Sequence, residues 1–246
     1  MATVAQEFLS REQVGGFVDV LGSKAQWPAA DDGEAGSYLI GRRRLPLPDG
    51  PVTIESAILS PGRSGQAVLP GDEFVLVLSG AVRFRQKGQE LRIGAGEAAV
   101  VVRGQPLEWA ADEPAELIVM RCTAGRSADE PVVIDTSAPL SPSNPPLAEL
   151  LVGPPPTCRG HSDYRSATGE FACGTWDSTP YHRRTMEFRH FELMRLLEGE
   201  VTFVDQHGRS GTFGPGNVIL FVQGGAASWE SRSHVKKIYS TYRPAQ

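Results

Sequence analysis

Two stretches of the chain repeat the same spacing of glutamate, glycine and tryptophan, and this repeat restricts the possible folds more than any other feature. Each stretch contains a glutamate, a glycine seven residues later, two further glycines and a tryptophan. Corresponding residues are 119 or 120 positions apart, so a single inserted residue accounts for the difference. Such a repeat predicts a duplicated architecture. The first set is Glu73, Gly80, Gly96, Gly104 and Trp109, and the second set is Glu192, Gly199, Gly216, Gly224 and Trp229.

Short apolar runs separated by glycine-containing turns fill both halves of the chain. Runs of this length, rich in Val, Leu and Phe, are typical of strands in an all-β sandwich or barrel. Helix is predicted only near the N-terminus, where Ser10 precedes an Arg-Glu-Gln sequence and provides a capping signal. Examples of the apolar runs are EFVLVLSG and EAAVVV in the first half and FELMRLLEG and TFGPGNVILFV in the second.

Composition argues against several classes of protein. With 24 basic and 29 acidic residues the net charge is -5, which does not favour a nucleic-acid partner. The three cysteines, Cys122, Cys158 and Cys173, lack the Cys-x-x-Cys spacing of a structural zinc site and predict reduced thiols. No apolar run approaches the roughly 18 residues of a membrane span, and the first residues do not resemble a signal peptide. We therefore expect a cytoplasmic protein that has no membrane partner.

The length of 246 residues suits two domains, each large enough to bury its own core. We predict an N-terminal domain over residues 1–130, with its barrel at about 38–125, and a C-terminal domain over 157–246. The proline-rich segment 131–156 is the predicted connector, because repeated prolines prevent regular strand pairing. Within it we expect residues 147–152 to dock on one of the domains. A disordered linker is the alternative.

The spacing of glutamate and glycine in both halves resembles the two sequence motifs of the cupin superfamily. The resemblance implies two tandem jelly-roll β-barrels of the RmlC-like type, and a homodimer. The second half is also similar to the cupin subgroup of ureidoglycine aminohydrolase-like and ethanolamine-utilisation-type proteins. The residues that carry this closer resemblance, besides the repeated ones, are Trp176, Lys237 and Tyr239.

The histidines that hold the metal in metal-binding cupins are missing at the expected positions. That family has His-x-His shortly before the motif glutamate and another histidine three residues after the last motif glycine. In this chain those places hold other residue types, so we expect no metal of the usual kind. Glu187, His190 and Glu192, with His182 nearby, leave an unusual divalent site, for example for manganese, as an alternative. In the first half, the positions before the glutamate hold Gln66 and Val68, or Ala67 and Leu69, and the later position holds Leu107. In the second half, they hold Thr185 and Glu187, or Met186 and Phe188, and the later position holds Ala227.

Side-chain alternation in the second half predicts a polar pocket. If Glu192 points into the barrel, the period of two places His190 and Met194 on the same face of the strand. The same rule groups Lys237 and Tyr239 on one face of the last strand. We therefore expect these five side chains to line one cavity, suited to a small polar or anionic molecule.

Roles for the pocket residues follow from their chemistry. Lys237 is predicted to bind a carboxylate, while His190 or Glu192 exchanges a proton and is the candidate catalytic residue. Trp176 and Trp229 are the predicted walls. The alternative is that Glu192 and Lys237 form a structural ion pair and that the tryptophans belong to the core.

The first half is predicted to be a scaffold without a ligand. Its Glu73 is followed by the apolar residues 74–77, and it has no evident counterpart of Lys237. The short basic runs at 42–44 and 183–184 are predicted to be exposed strand edges.

Three functions are compatible with these features. The first is a two-domain cupin that binds a small polar or anionic metabolite in its C-terminal barrel without the usual metal. The second is a metal-dependent ureidoglycine aminohydrolase-like enzyme. The metal shell of that family combines a glutamate, two histidines and a glutamine, and it does not map onto the second half. The third is a regulatory or assembly module without catalytic activity.

Overall fold

The computed structural model describes residues 15–30, 38, 41–63 and 67–245. The described residues fold into antiparallel strands with one short helix, α1 (Val20–Ser23), and two single 3-10 turns. This confirms the predicted all-β class. Asp19 caps α1 by accepting a hydrogen bond from the backbone N–H of Gly22. The predicted cap at Ser10 lies outside the described residues. No helix in the described part of the chain has the length and apolar character that a membrane span requires.

Strands β2 to β12 form the first barrel from two facing sheets. One sheet has the order β12-β9-β6-β11-β3-β2, and the other has the order β4-β10-β7-β8 with β5 also paired to β10. The strands in this part of the chain are β1 (Phe17–Asp19), β2 (Arg43–Arg44), β3 (Val52–Leu59), β4 (Gly62–Arg63), β5 (Ala67–Val68), β6 (Asp72–Ser79), β7 (Ala81–Gln86), β8 (Gln89–Gly94), β9 (Ala98–Val101), β10 (Pro106–Ala111), β11 (Ala115–Cys122) and β12 (Val132–Val133).

The second barrel repeats this arrangement with the remaining strands. Its larger sheet has the order β1-β20-β17-β22-β15-β14-β13, and its smaller sheet has the order β16-β21-β18-β19. The strands are β13 (Ser141–Ser143), β14 (Cys158–Arg165), β15 (Phe171–Ser178), β16 (Tyr181–Glu187), β17 (Phe191–Glu198), β18 (Val201–Val204), β19 (Ser210–Phe213), β20 (Val218–Phe221), β21 (Ala226–Ser231) and β22 (Val235–Tyr242).

Two segments tie the barrels together. The N-terminal strand β1 pairs with β20 of the second barrel, although it precedes the first barrel in the chain. The connector contributes β12 to the first barrel and β13 to the second. Within the predicted docking segment, Leu151 is buried and forms a β-bridge with Arg183, whereas Leu147 is 64% exposed. The connector therefore runs along both sheets and docks on the second barrel through Leu151.

Two of the repeated glycines are required by the backbone. Gly80 ends β6 with φ +72°, and Gly199 ends β17 with φ +76°. A Cβ atom at Gly80 would collide with the carbonyl oxygen of Pro114, and one at Gly199 with that of His234. A positive φ together with such close backbone approach leaves glycine as the residue that fits both turns. This is a physical reason for the repeat.

The apolar side chains form three cores. One lies inside each barrel, and the third lies where the two large sheets pack on each other. Strand β6 shows how the sequence divides them, because Phe74 belongs to the shared core while Val75 belongs to the first barrel's interior. On β17, Leu193 and Met194 divide in the same way. The alternation of side chains across each strand thus supplies both cores from one apolar run.

The interior of the first barrel contains a buried ionic network, which the sequence analysis did not predict. Arg42 donates to Glu55 at 2.6 Å and to Glu73 at 3.2 Å, and its guanidinium is fully buried. Arg121 donates to Glu73 at 2.8 Å, and the hydroxyl of Tyr38 also donates to Glu73. The prediction that residues 42–44 form an exposed edge is wrong for Arg42, because the two buried carboxylates draw it inside.

We predict that Glu73→Ala lowers the free energy of unfolding by about 3–5 kcal/mol, because Arg42 and Arg121 then share one buried carboxylate, Glu55. Urea denaturation measures the change. The matched control is Arg232→Ala, which breaks an exposed pair with Glu230 and should change stability by less than about 0.5 kcal/mol. Equal effects of the two substitutions would contradict the structural role of the network.

Candidate ligand-binding site in the second barrel

The second barrel contains an open cavity of about 470 Å³, lined by strands of both its sheets and by the connector. Six of the seven residues predicted for the site line this cavity. The seventh, Met194, is buried beneath it, with its Sδ 4.0 Å from the Nζ of Lys237. The structure therefore brings the predicted set together, and its cavity-lining members are His190, Glu192, Lys237, Tyr239, Trp176 and Trp229.

Glu192 is the centre of a hydrogen-bonded group. Its Oε1 accepts from the Nζ of Lys237 at 2.8 Å, and its Oε2 lies 3.4 Å from the Nε2 of His190. Burial alone would raise the pKa of the Glu192 carboxyl, but the Lys237 ammonium and the hydrogen bond from His190 outweigh it and hold the pKa well below its usual value. Glu192 is therefore a carboxylate at neutral pH.

Aromatic rings fix the position of Lys237. Its Nζ lies 4.7 Å from the ring centroid of Trp176 and 5.2 Å from that of Trp229, within the range of cation–π contacts. The two indoles meet edge to face at 6.1 Å, and Tyr181 stacks on Trp229 at 5.5 Å. The ammonium is thus held at an aromatic wall of the cavity.

Arg183 is a buried cavity residue that the sequence analysis placed on an exposed edge, and that prediction is wrong. The residue is 7% exposed, its Nη2 donates to the carbonyl oxygen of Ala227 at 3.1 Å, and its guanidinium lies 5.5 Å from the ring of Phe188. Its Nε is buried without a hydrogen-bond partner in the described structure. Burial lowers the pKa of Arg183, but arginine remains charged in proteins. The exposed neighbour Arg184 points to the other face of β16, so alternation was the signal that was missed.

Arg243, just beyond β22, also lines the cavity and was not predicted. Its Nη2 lies 3.4 Å from the Nδ1 of His190. Among the described residues that line the cavity, Arg183, Lys237 and Arg243 carry positive charge, whereas Glu192 alone carries negative charge. The cavity therefore favours an anion.

Two family models match the chain. A model described as a cupin domain matches residues 57–121, and a model described as a EutQ-like cupin domain matches residues 165–239. The chain is a two-domain cupin. This confirms the predicted family and fold, while the subgroup, the homodimer and the cytoplasmic location stay predictions.

Solved structures resemble this bicupin over most of its length. A protein of unknown function of the DUF861 family from Pseudomonas syringae is 25% identical, with a TM-score of 0.78 over 85% of this chain and 89% of that chain. The Ylba protein of E. coli, also of the DUF861 family, is 12% identical with a TM-score of 0.60 over 99% and 97%.

A salicylate 1,2-dioxygenase from Pseudoaminobacter salicylatoxidans, solved with gentisate, is 11% identical to the bicupin, with a TM-score of 0.59 over 91% and 77% of the two chains. At such identities the likeness concerns the fold alone. A search of curated protein sequences returned no match.

The interiors of the two barrels of the bicupin differ because the residue opposite the repeated glutamate differs. In the first barrel, Arg121 on β11 lies directly opposite Glu73 on β6 and reaches its carboxylate. In the second, the residue opposite Glu192 is Thr241 on β22, a short side chain that lines the cavity. The first barrel fills this space with a guanidinium, and the second leaves it open.

A second difference between equivalent residues also leaves more space in the second barrel. Glu55 on β3 lies opposite Val119 in the first barrel, and the equivalent residue, Gly174 on β15, lies opposite Tyr239 in the second. Arg42 and Arg121 lower the pKa of Glu55 although burial would raise it, so the first barrel holds a charged carboxylate here. Gly174 contributes no side chain. The predicted division into a scaffold and a pocket thus has a steric and electrostatic basis.

The cavity residues do not fit the metal that cupins commonly hold. The described residues include no group of three or more His, Cys, Asp or Glu side chains arranged to bind a metal ion. The downstream histidine position is Ala227, and Lys237 places its ammonium 2.8 Å from the one carboxylate of the cavity. A divalent cation would be repelled by that ammonium and would not find the three imidazoles of the usual cupin site. The unusual set of Glu187, His190 and Glu192 is likewise not assembled.

The lowered pKa of Glu192 predicts a pH-dependent contribution to stability. A carboxyl whose folded-state pKa is depressed stabilises the protein above its unfolded-state pKa and loses this contribution as the pH falls toward the folded-state pKa. We therefore expect Glu192→Gln to destabilise the protein at neutral pH by an amount that shrinks between about pH 5 and pH 3. Urea denaturation at several pH values measures it. The control Asp112→Asn, at an exposed pair with Arg83, should show a difference near zero throughout.

Proposed function

We propose that the second barrel of the bicupin binds a small organic anion, with its carboxylate on Arg183. The observation that carries this proposal is the buried Nε of Arg183, which has no hydrogen-bond partner among the described residues. A buried guanidinium without a carboxylate costs several kcal/mol unless a ligand completes its hydrogen bonds. Arginine presents a planar set of donors that matches a carboxylate in two-point contact.

The aromatic walls define the rest of the ligand. Phe188 stacks on Phe221 with centroids 4.1 Å apart, and Tyr181 stacks on Trp229 with an interplanar angle of 11°. Rings of this kind favour an apolar or planar body. The cavity volume of about 470 Å³ restricts the ligand to a small metabolite. Lys237 offers a second donor group to an oxygen of such a ligand.

The alternative of a purely structural ion pair explains less of the site. A structural role for Glu192 and Lys237 requires only that their charges cancel, as they do at 2.8 Å. It leaves the charges of Arg183 and Arg243 in the same cavity without a function. The ureidoglycine aminohydrolase-like alternative needs a metal shell that the described cavity residues do not form, and no contact among the described residues favours an assembly module.

We predict that Arg183→Met weakens anion binding about 10- to 100-fold, the value of a buried charged hydrogen bond. Pyruvate, 2-oxobutyrate and 4-oxopentanoate are suitable probes, and the fluorescence of Trp176 and Trp229 in the cavity wall reports their binding. Arg184→Met is the matched control, because that exposed side chain points away from the cavity, and it should bind the probes as the wild type does. Equal affinities of both variants, each folded by circular dichroism, would remove Arg183 from the site.

A second prediction transfers the arrangement of the first barrel to the second. Thr241→Arg places a guanidinium opposite Glu192, where the first barrel has Arg121 opposite Glu73. We expect the new side chain to fill the cavity and to abolish probe binding with retention of the folded state. Thr241→Ser, which keeps the space open, should bind normally. Undiminished binding by the arginine variant would show that the probes bind elsewhere.

A further inference from the structure

We infer that His190 is a general base. It removes a proton from the carbon next to the keto group of a bound oxo acid. The inference deepens the proposed function and rests on it, because the substrate is the anion that Arg183 holds. The chemical class is therefore the small oxo acids.

The partners of His190 select one tautomer. The Nε2 atom lies 3.4 Å from the Oε2 of Glu192, and a carboxylate can only accept a hydrogen bond. The Nδ1 atom lies 3.4 Å from the Nη2 of Arg243, and a guanidinium can only donate. Both contacts are satisfied only by a neutral imidazole with its proton on Nε2 and a lone pair on Nδ1. The side of the ring that can accept a proton is thus defined by the geometry.

Glu192 is a positioning residue in this arrangement. Glu192 holds the Nε2–H of His190, and its carboxylate stabilises the imidazolium that forms when Nδ1 takes a proton, as a second partner does for a catalytic histidine. Lys237 fixes the other oxygen of Glu192 at 2.8 Å. Glu192 therefore acts through His190 and not on the substrate itself.

Arg243 contacts the Nδ1 atom of His190 and can move away from it. Its side chain is exposed, in contrast to that of His190, which is 13% exposed. An exposed guanidinium can leave Nδ1 without leaving a buried charge behind. An anion that enters the cavity offers Arg243 a stronger partner than a neutral imidazole, so binding itself frees the lone pair.

The step conserves atoms and electrons within the enzyme and its substrate. The C–H bond breaks and its proton moves to Nδ1 of His190. The electron pair forms a carbon–carbon double bond, and the π pair of the carbonyl moves to the oxygen, which becomes an enolate. Lys237, whose Nζ also donates to Glu192 and to the Sδ of Met194, has a remaining N–H donor for that oxygen. Burial raises the pKa of Tyr181, so its phenol in the same cavity keeps its proton and remains a donor. Return of the proton from Nδ1 to carbon completes the exchange.

The first test is the tautomer of His190 in the protein as it stands. A proton–nitrogen correlation spectrum of the histidine rings at mildly alkaline pH, assigned by comparison with His190→Asn, should show the Nε2–H form. The Nδ1–H form would overturn the inference, because the basic nitrogen would then face Glu192.

The second test follows deuterium incorporation from heavy water into pyruvate, 2-oxobutyrate and 4-oxopentanoate by NMR. The wild-type protein should accelerate exchange at the carbon next to the carbonyl. His190→Gln should lower this rate at least about 100-fold with probe binding retained, and Glu192→Gln should lower it about 10- to 100-fold. His207→Gln, in an exposed loop, should exchange at the wild-type rate.

The outcomes separate the two proposals. Probe binding without exchange by the wild type overturns the role of His190 and leaves anion binding in place. An equal rate for the wild type and His190→Gln does the same. The absence of both binding and exchange overturns anion binding and the inference together.

Discussion

The structure depends on how each barrel neutralises the one glutamate that the sequence repeats. Glu73 and Glu192 lie at corresponding positions on β6 and β17. Glu73 is buried against Arg121, and Glu192 lines the cavity of the second barrel. A carboxylate taken out of water costs several kcal/mol unless cations and hydrogen bonds compensate. Each barrel therefore needs a cation beside its glutamate. The size and position of that cation determine how much space remains in the interior.

The two barrels differ in the residue that provides this cation. Arg121 reaches Glu73 from the residue directly opposite on the neighbouring strand, so the guanidinium occupies the middle of the first barrel. In the second barrel the cation comes from Lys237, which lies opposite Leu196, further along the strand pair. Its flexible chain lies along the aromatic wall and not across the barrel. The same charge balance is thus reached with a filled interior in one case and an open one in the other.

The sequence predicted the positions of side chains that depend on neighbouring residues in the chain. It did not predict the burial of side chains whose partners lie on other strands. The expectation from alternation grouped His190 with Glu192 correctly, although His190 lies in the bend just before β17 and reaches Glu192 from there. The burial of Arg42 depends on Glu55, which lies on another strand, and no local pattern signals that pairing. Arg183 is intermediate. Alternation places Arg183 and Arg184 on opposite faces of β16, but it gives no indication of which of the two turns inward.

The excess of positive charge is the strongest argument that the open cavity serves a ligand. Charge balance at Glu192 requires one cation, and Lys237 provides it at 2.8 Å. Arg183 and Arg243 add two more to the same cavity, and no carboxylate of the described residues pairs with the buried Arg183. Like charges gathered in a cavity destabilise the folded state. The first barrel shows that this fold can match buried arginines with buried glutamates, as it does with Glu55 and Glu73. An incoming anion would give the second barrel the balance that its own residues lack.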